Sequence, residues 1–233
     1  MLAILKREMS NYFTSPIGYI FLAVFYFFSG MFFTSVLAAN TTDITYVFSS
    51  LFTVLIFIIP LLTMRSMSED KKQKTDQLLL TSPLNLSGLV AGKFLAAFLM
   101  YCIALAVTVV YSLILAAFAV PEWPVVIGNI LGALLLGAAL ISIGVFISSL
   151  TENQLIAAVG SFAVMMFILM IDGFASLIPV TQIASIITSL SFMSRYNDFV
   201  TGILNISNIL FFISVAVVFN FFTVRVLEKR RWG

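Results

Sequence analysis

The sequence predicts an all-α integral membrane protein with six membrane-spanning helices. Three observations carry that prediction. Hydrophobic residues make up 61% of the 233-residue chain and charged residues only 9%, against roughly 45–50% and about 25% in soluble domains. The apolar residues gather in stretches near the ~20 residues needed to cross a hydrocarbon core about 30 Å thick. The basic residues fall between those stretches on one side. So few charges cannot cover a water-soluble globule of this size, and disorder needs the opposite composition. A soluble enzyme, a nucleic-acid binder and a disulfide-rich secreted scaffold are thereby excluded. Histidine is absent and Cys102 is the only cysteine, so no intrachain disulfide and no zinc or iron–sulfur ligand set can form. We read residues 1–233 as a single transmembrane domain.

Residues 1–15 form the first element. Leu2, Leu5, Met9 and Tyr12 fall on one helical face, with Lys6, Glu8 and Asn11 elsewhere. That pattern reads as an amphipathic helix lying in the interfacial plane, or else as a frayed tail. The first span covers residues 17–39. Lys6 and Arg7 precede it and Ala38 and Ala39 follow it, as in a signal peptide. Its apolar run is nevertheless longer than the roughly 7–15 residues of a signal h-region.

Spans two to six cover residues 46–64, 94–120, 125–150, 154–171 and 206–226. A seventh apolar stretch, 174–192, contains Pro179, Gln182 and many Ser and Thr residues. Charge decides it. With the N-terminus cytoplasmic, six spans place Lys6, Arg7, Arg65, Lys71, Lys72, Lys74, Lys93, Arg225, Lys229, Arg230 and Arg231 inside, leaving only Arg195 of the 12 basic residues outside. Basic residues in short loops favour the cytoplasmic side. A seventh span would send the basic C-terminal tail outside. Residues 173–205 are therefore read as a non-spanning helical or re-entrant segment at the outer face, shielded from lipid by packing.

The segment 65–93 is the largest inner piece, with fewer than 30 residues, too few for a nucleotide-binding domain. Its charged run Glu69-Asp-Lys-Lys-Gln-Lys-Thr-Asp76 leads into Leu78-Leu-Leu80 and Thr81-Ser-Pro83. It reads either as a solvated basic loop or as a short helix whose leucines dock into a groove on a cytoplasmic partner. The lipid interface is the other place to bury them.

Little here carries chemistry. Gly88-Leu-Val-Ala-Gly92-Lys93-Phe94 falls short of a phosphate-binding loop, which needs four residues between its glycines and a Ser or Thr after the lysine. Gly88 with Gly92, and Gly128 with Gly132, have the spacing that lets membrane helices approach closely, or arise by chance. Asn40-Thr-Thr42 and Asn205-Ile-Ser207 match a glycosylation pattern by letter only. The span interiors hold almost no ionisable side chains, which argues against transport driven by protons through this chain. The lack of paired carboxylates disfavours an intramembrane enzyme. Phe21, Phe25, Tyr26, Phe28, Phe32 and Phe33 crowd the first span. They read either as packing and lipid-facing groups or as the lining of a pathway or subunit interface.

Several segments together resemble the membrane subunits of ABC-2 type ABC transporters, and most closely the gliding-motility type of permease. They are Leu5-Lys-Arg-Glu8 with Tyr12-Phe-Thr-Ser-Pro16; Ser68-Glu-Asp-Lys-Lys72 with Leu78-Leu-Leu-Thr-Ser-Pro83 and Gly92-Lys-Phe94; and a C-terminal set. That set is Leu190-Ser191, Phe199, Gly202-Ile203, Asn208-Ile-Leu210 and Thr223-Val-Arg-Val-Leu-Glu228. The sequence departs from the pattern just before the leucines. The family's run is close to Gly-Thr-Leu-Glu, where this chain has Lys74-Thr-Asp-Gln77 and keeps only Thr75.

The resemblance implies a permease subunit without its own ATPase site, carrying no cofactor, with ATP and magnesium on a partner chain. It implies pairing with a second permease subunit, alike or different, above two cytoplasmic ABC ATPase subunits in a bacterial inner membrane, with both termini cytoplasmic. ATP hydrolysis would then drive export of a substrate. It places a coupling helix in 65–93, with ATPase-coupling residues Glu69, Lys71, Lys72, Thr75, Leu78, Leu79, Leu80, Ser82 and Pro83. It makes Phe21, Phe25, Phe28 and Phe32 candidates for the pathway or subunit interface. A non-transporting subunit that transmits ATPase motion to a membrane-anchored protein with a periplasmic domain, in a motility or assembly complex, is the alternative. Substrate-stimulated ATP hydrolysis separates the first from the second.

Overall fold

A computed structural model describes residues 1–41, 43–74, 85–118, 122–177 and 188–232. Among the described residues there are eight helices and no strand: α1 (Leu2–Thr14), α2 (Pro16–Ala38), α3 (Thr45–Lys72), α4 (Leu86–Phe118), α5 (Trp123–Leu150), α6 (Gln154–Leu177), α7 (Phe192–Val200) and α8 (Ile206–Trp232). Six of them, α2 to α6 and α8, are long and apolar enough to cross a membrane. The chain is thus an all-helical, multi-pass membrane protein.

Local chemistry sets the corners. Ser15 is extended (φ −98°, ψ 145°), as expected before a proline, whose ring clashes with a preceding helical residue. Pro16 then starts α2, and the Ser15 hydroxyl accepts from the Ile17 N–H at 3.3 Å. The chain folds back so tightly here that a Cβ on Gly18 would collide with the Tyr12 carbonyl. The Asp43 carboxylate accepts from the Thr45 N–H at 2.9 Å and opens α3. Asn153 opens α6 in the same way through the Leu155 N–H, at 2.9 Å.

α3 and α5 form the centre of the bundle, with 67% and 61% of their most apolar stretches buried, whereas α8 buries only 11%. The outer helices α2, α6 and α8 leave apolar side chains such as Phe27, Phe167 and Val217 exposed, the pattern of helices whose solvent is lipid. Close approach at the centre relies on small residues. Tyr101 of α4 is fully buried, and its hydroxyl donates to the Ala133 carbonyl of α5 at 2.7 Å. A Cβ on Gly137 would overlap its ring, and one on Gly144 would overlap Thr63 of α3.

α7 is a helix of nine residues, about 14 Å long and too short to span. Ser191 caps it through the Ser194 N–H at 3.0 Å. Gly202 ends it at φ +81°, a left-handed state that glycine adopts without a Cβ penalty. Phe192, Tyr196, Phe199 and Val200 are buried, and the Tyr196 hydroxyl donates to the Phe48 carbonyl of α3 at 3.0 Å. Phe199 packs against Gly132 of α5 so closely that a Cβ there would clash. Of the two glycine pairs, then, Gly128 and Gly132 serve a close helix contact, whereas nothing lies within 4 Å of a Cβ on Gly88.

Four boundaries differ from the sequence reading: α6 runs on to Leu177 rather than residue 171, α8 runs on to Trp232 rather than residue 226, and both ends of the segment between α3 and α4 move. α3 does not stop near residue 64 but runs on to Lys72, and α4 begins at Leu86 rather than near residue 94. Helical hydrogen bonding continues through charged residues because they find partners, Arg65 in Glu69 and Asp70 in Lys93.

Candidate functional site

At the end of the bundle that carries α1, three helices meet in a cluster of ions. α3 extends past its apolar part with no glycine or interior proline after Pro60. Arg65 and Glu69 stand one turn apart and pair twice, with Nε to Oε2 at 2.7 Å and Nη2 to Oε1 at 2.5 Å. Such i,i+4 pairs support a helix. Lys71 and Lys72 in the last turn suit the negative end of the helix dipole. The helix ends on Lys74 at φ +58°.

Lys93 enters from the second turn of α4. Its side chain is only 2% exposed, and Nζ lies 2.6 Å from Asp70 Oδ2 of α3 and 3.1 Å from Glu8 Oε1 of α1. It also donates to the Ser66 carbonyl. Arg7 reaches Glu8 at 2.7 Å and Asp70 at 3.4 Å. The cluster is balanced: Arg7, Arg65 and Lys93 face Glu8, Glu69 and Asp70. A buried ammonium requires such pairing, since an isolated charge out of water costs several kcal/mol or about that order.

α1 is fastened to α3 at two further points. The Tyr12 hydroxyl donates to the Leu62 carbonyl at 3.2 Å, and Arg65 Nη1 donates to the Ser15 hydroxyl at 2.8 Å. Burial, with help from Glu8 and against Arg65, pushes the Tyr12 phenol above its ordinary value, so it stays a neutral donor. These groups surround a polar cavity of about 530 Å3 between α1, α3 and α4.

The face of α1 turned to the bundle is Ile4, Glu8 and Tyr12, and it shares only Tyr12 with the apolar face Leu2, Leu5, Met9 and Tyr12 read from the sequence. Ile4 is buried and Leu2 is 79% exposed. Glu8 belongs to the inward face because Lys93 meets it there. Gly92 has a packing role, since a Cβ on it would lie 3.0 Å from Ile4 Cγ2.

Of the proposed coupling residues, Glu69, Lys71 and Lys72 are described. Glu69 holds Arg65. Lys71 is buried and donates to the Ser149 carbonyl at the end of α5, while Lys72 is exposed. Next to it, Ser148 accepts from the Met67 and Ser68 N–H groups at 3.1 Å and donates to the Met64 carbonyl at 3.0 Å. Thr75, Leu78, Leu79, Leu80, Ser82 and Pro83, and with them the coupling helix, lie outside the described residues. Phe21 and Phe25 are core residues. Phe28 and Phe32 are half-buried, their ring centroids 6.4 Å apart. Sequence reasoning missed Glu8, Asp70 and Ser148 as contact residues. The four-residue spacing of Ile4, Glu8 and Tyr12 pointed to Glu8, and nothing comparable pointed to Asp70 or Ser148.

An all-helical six-span body with this charged base is matched from residue 38 to residue 226, most of its length, by the family described as ABC-2 family transporter protein. The chain belongs to that family. Comparison with curated proteins gives no match. The matched range of this ABC-2 protein runs from the end of α2 into the last turns of α8. It contains Asp70 and Lys93, and α1 with Glu8 lies before it. Membership identifies a membrane subunit of the ABC transporter type, a class in which ATP is typically hydrolysed on a separate subunit. Among the described residues, no group of three or more Cys, Asp or Glu side chains is arranged to hold a metal.

Proposed function

We propose that this ABC-2 protein is the permease subunit of an ATP-driven exporter of the gliding-motility type, seated in a bacterial inner membrane with its basic end in the cytoplasm. Two such subunits, alike or different, pair above two ABC ATPase subunits that hold ATP and magnesium. The ATPases grip residues 75–83, with Leu78, Leu79 and Leu80 as the buried contact.

One observation supports this most strongly. α3 ends at Lys72 and α4 begins at Leu86, and Lys93 ties both of those ends to α1 through Asp70 and Glu8. Displacement of the intervening segment is thereby passed to three helices as a rigid-body movement rather than lost in a loose loop. Lys71 and Ser148 extend the connection to α5, the centre of the bundle. The basic residues at this end agree with a cytoplasmic location.

Co-expression with a cognate ATPase tests the reading. The wild-type chain should co-purify with the ATPase and alter its rate of hydrolysis. Leu79→Asp should lose both effects while inserting into the membrane normally. Retention of both would refute the assignment.

A further inference from the structure

On the flank of the bundle, the first turns of α4 and the last turns of α8 leave an open groove of about 540 Å3 between them. Its walls are apolar: Val90 and Phe94 on one side, Val217, Phe221 and Val224 on the other. Val217 is 63% exposed and Phe221 50%. Measured at 1.5 Å per residue, the groove runs about 10 Å along α4 and about 18 Å along α8. A single hydrocarbon chain, apolar along its whole length, suits an open groove of those dimensions.

The mouth of the groove selects the head attached to that chain. Arg225 stands there, its guanidinium 4.8 Å from the centre of the Phe221 ring. One donor goes to Glu228 at 2.7 Å, and the side chain remains 60% exposed. A guanidinium has five N–H donors in a fork that fits a phosphate. Lys229, Arg230 and Arg231 follow in the last turn, and Arg230 also reaches Glu152 at 3.8 Å. Four basic side chains thus stand against the single carboxylate Glu228 on the stretch of α8 from Arg225 onward. Basic groups between spanning helices at a membrane surface attract anionic head groups.

We propose that this groove holds one acyl chain of an anionic phospholipid, whose phosphate is bound by Arg225. The site requires only that the basic end lie at a bilayer surface. It is independent of ATP coupling and of transport.

The full chain, purified in detergent, is titrated with phosphatidylglycerol or phosphatidylcholine of identical acyl chains, and retained lipid is counted by native mass spectrometry. Both lipids carry a phosphate, but phosphatidylcholine adds a quaternary ammonium that Arg225 repels, so one phosphatidylglycerol should be retained at about tenfold lower concentration than phosphatidylcholine. Arg225→Gln should bring the two lipids level, whereas Arg231→Gln, outside the groove, should keep the preference. Val217→Trp should fill the groove and reduce retention of both. Thermal unfolding establishes that each variant is folded. Equal retention by the wild type, or a preference that survives Arg225→Gln, overturns the proposal. Equal sensitivity to Arg231→Gln would show diffuse attraction instead of a site and also overturns it. Cross-linking of two chains through Val217→Cys, in a Cys102→Ser background, would assign the groove to a second copy.

Discussion

The Lys93 ammonium lies 2.6 Å from the Asp70 carboxylate with 2% of the lysine side chain exposed. Asp70 stands in the last turn of α3 and Lys93 in the second turn of α4. The pair therefore closes the base of the segment between these helices. Glu8 adds α1 to the same ion, so an element outside the matched family range becomes part of the base.

Lys93→Met should destabilise the protein by about 3–5 kcal/mol, because it leaves two carboxylates, both largely buried, with half their compensation. Adding Glu8→Gln and Asp70→Asn to the same chain should recover most of that loss, since the buried charges are then removed together and Arg7, with 43% of its side chain exposed, is left to solvent. Thermal unfolding of the purified variants measures both.

Ile4→Ala should cost about 2–5 kcal/mol through the cavity left against Gly92. Leu2→Ala, at a side chain 79% exposed, should stay within about 0.5 kcal/mol in detergent. Comparable losses at both positions would contradict the inward face assigned to α1.

Gly137→Ala should destabilise by about 1–3 kcal/mol, because its methyl would displace the Tyr101 ring in a close-packed interior. Gly88→Ala has open space around it and should be neutral or slightly stabilising, by up to about 1 kcal/mol from helix propensity. Unfolding midpoints of the two variants should therefore move apart.

Lys74→Gly should stabilise the end of α3. Lys74 occupies φ +58°, where a Cβ costs about 1–2 kcal/mol, partly offset by the larger backbone entropy glycine loses on folding. The glycine expected at this position from the family resemblance has a conformational reason. Slower amide exchange over the last turn of α3 in the variant would be the signature, and faster exchange would contradict it.

Six spans, a short non-spanning helix before the last of them and a basic end were legible in the sequence, because hydropathy and charge report burial in lipid directly. What was not legible depends on pairing. Glu8 looked solvent-facing because its partner Lys93 is 85 residues away. Residues 65–72 looked like loop because charge hides helix when the partners, Arg65 with Glu69 and Lys71 with Ser149, are not yet visible. The aromatic crowding of the first span was visible, but its division into buried Phe21 and Phe25 and half-buried Phe28 and Phe32 is set by α3 and α4. Gly88 and Gly132 carry the same spacing motif, and only the fold shows that Phe199 uses the second.

The most direct test of the central claim places one reactive thiol on the segment. Leu79→Cys is made in a Cys102→Ser background, and thiol reagents are applied to intact cells, to inverted vesicles and to the complex formed with the cognate ATPase. Labelling from the cytoplasmic side alone, with a cross-link to the ATPase whose yield changes on ATP addition, is the predicted result. Labelling from the outer side, or no cross-link to any ATPase, would contradict the account.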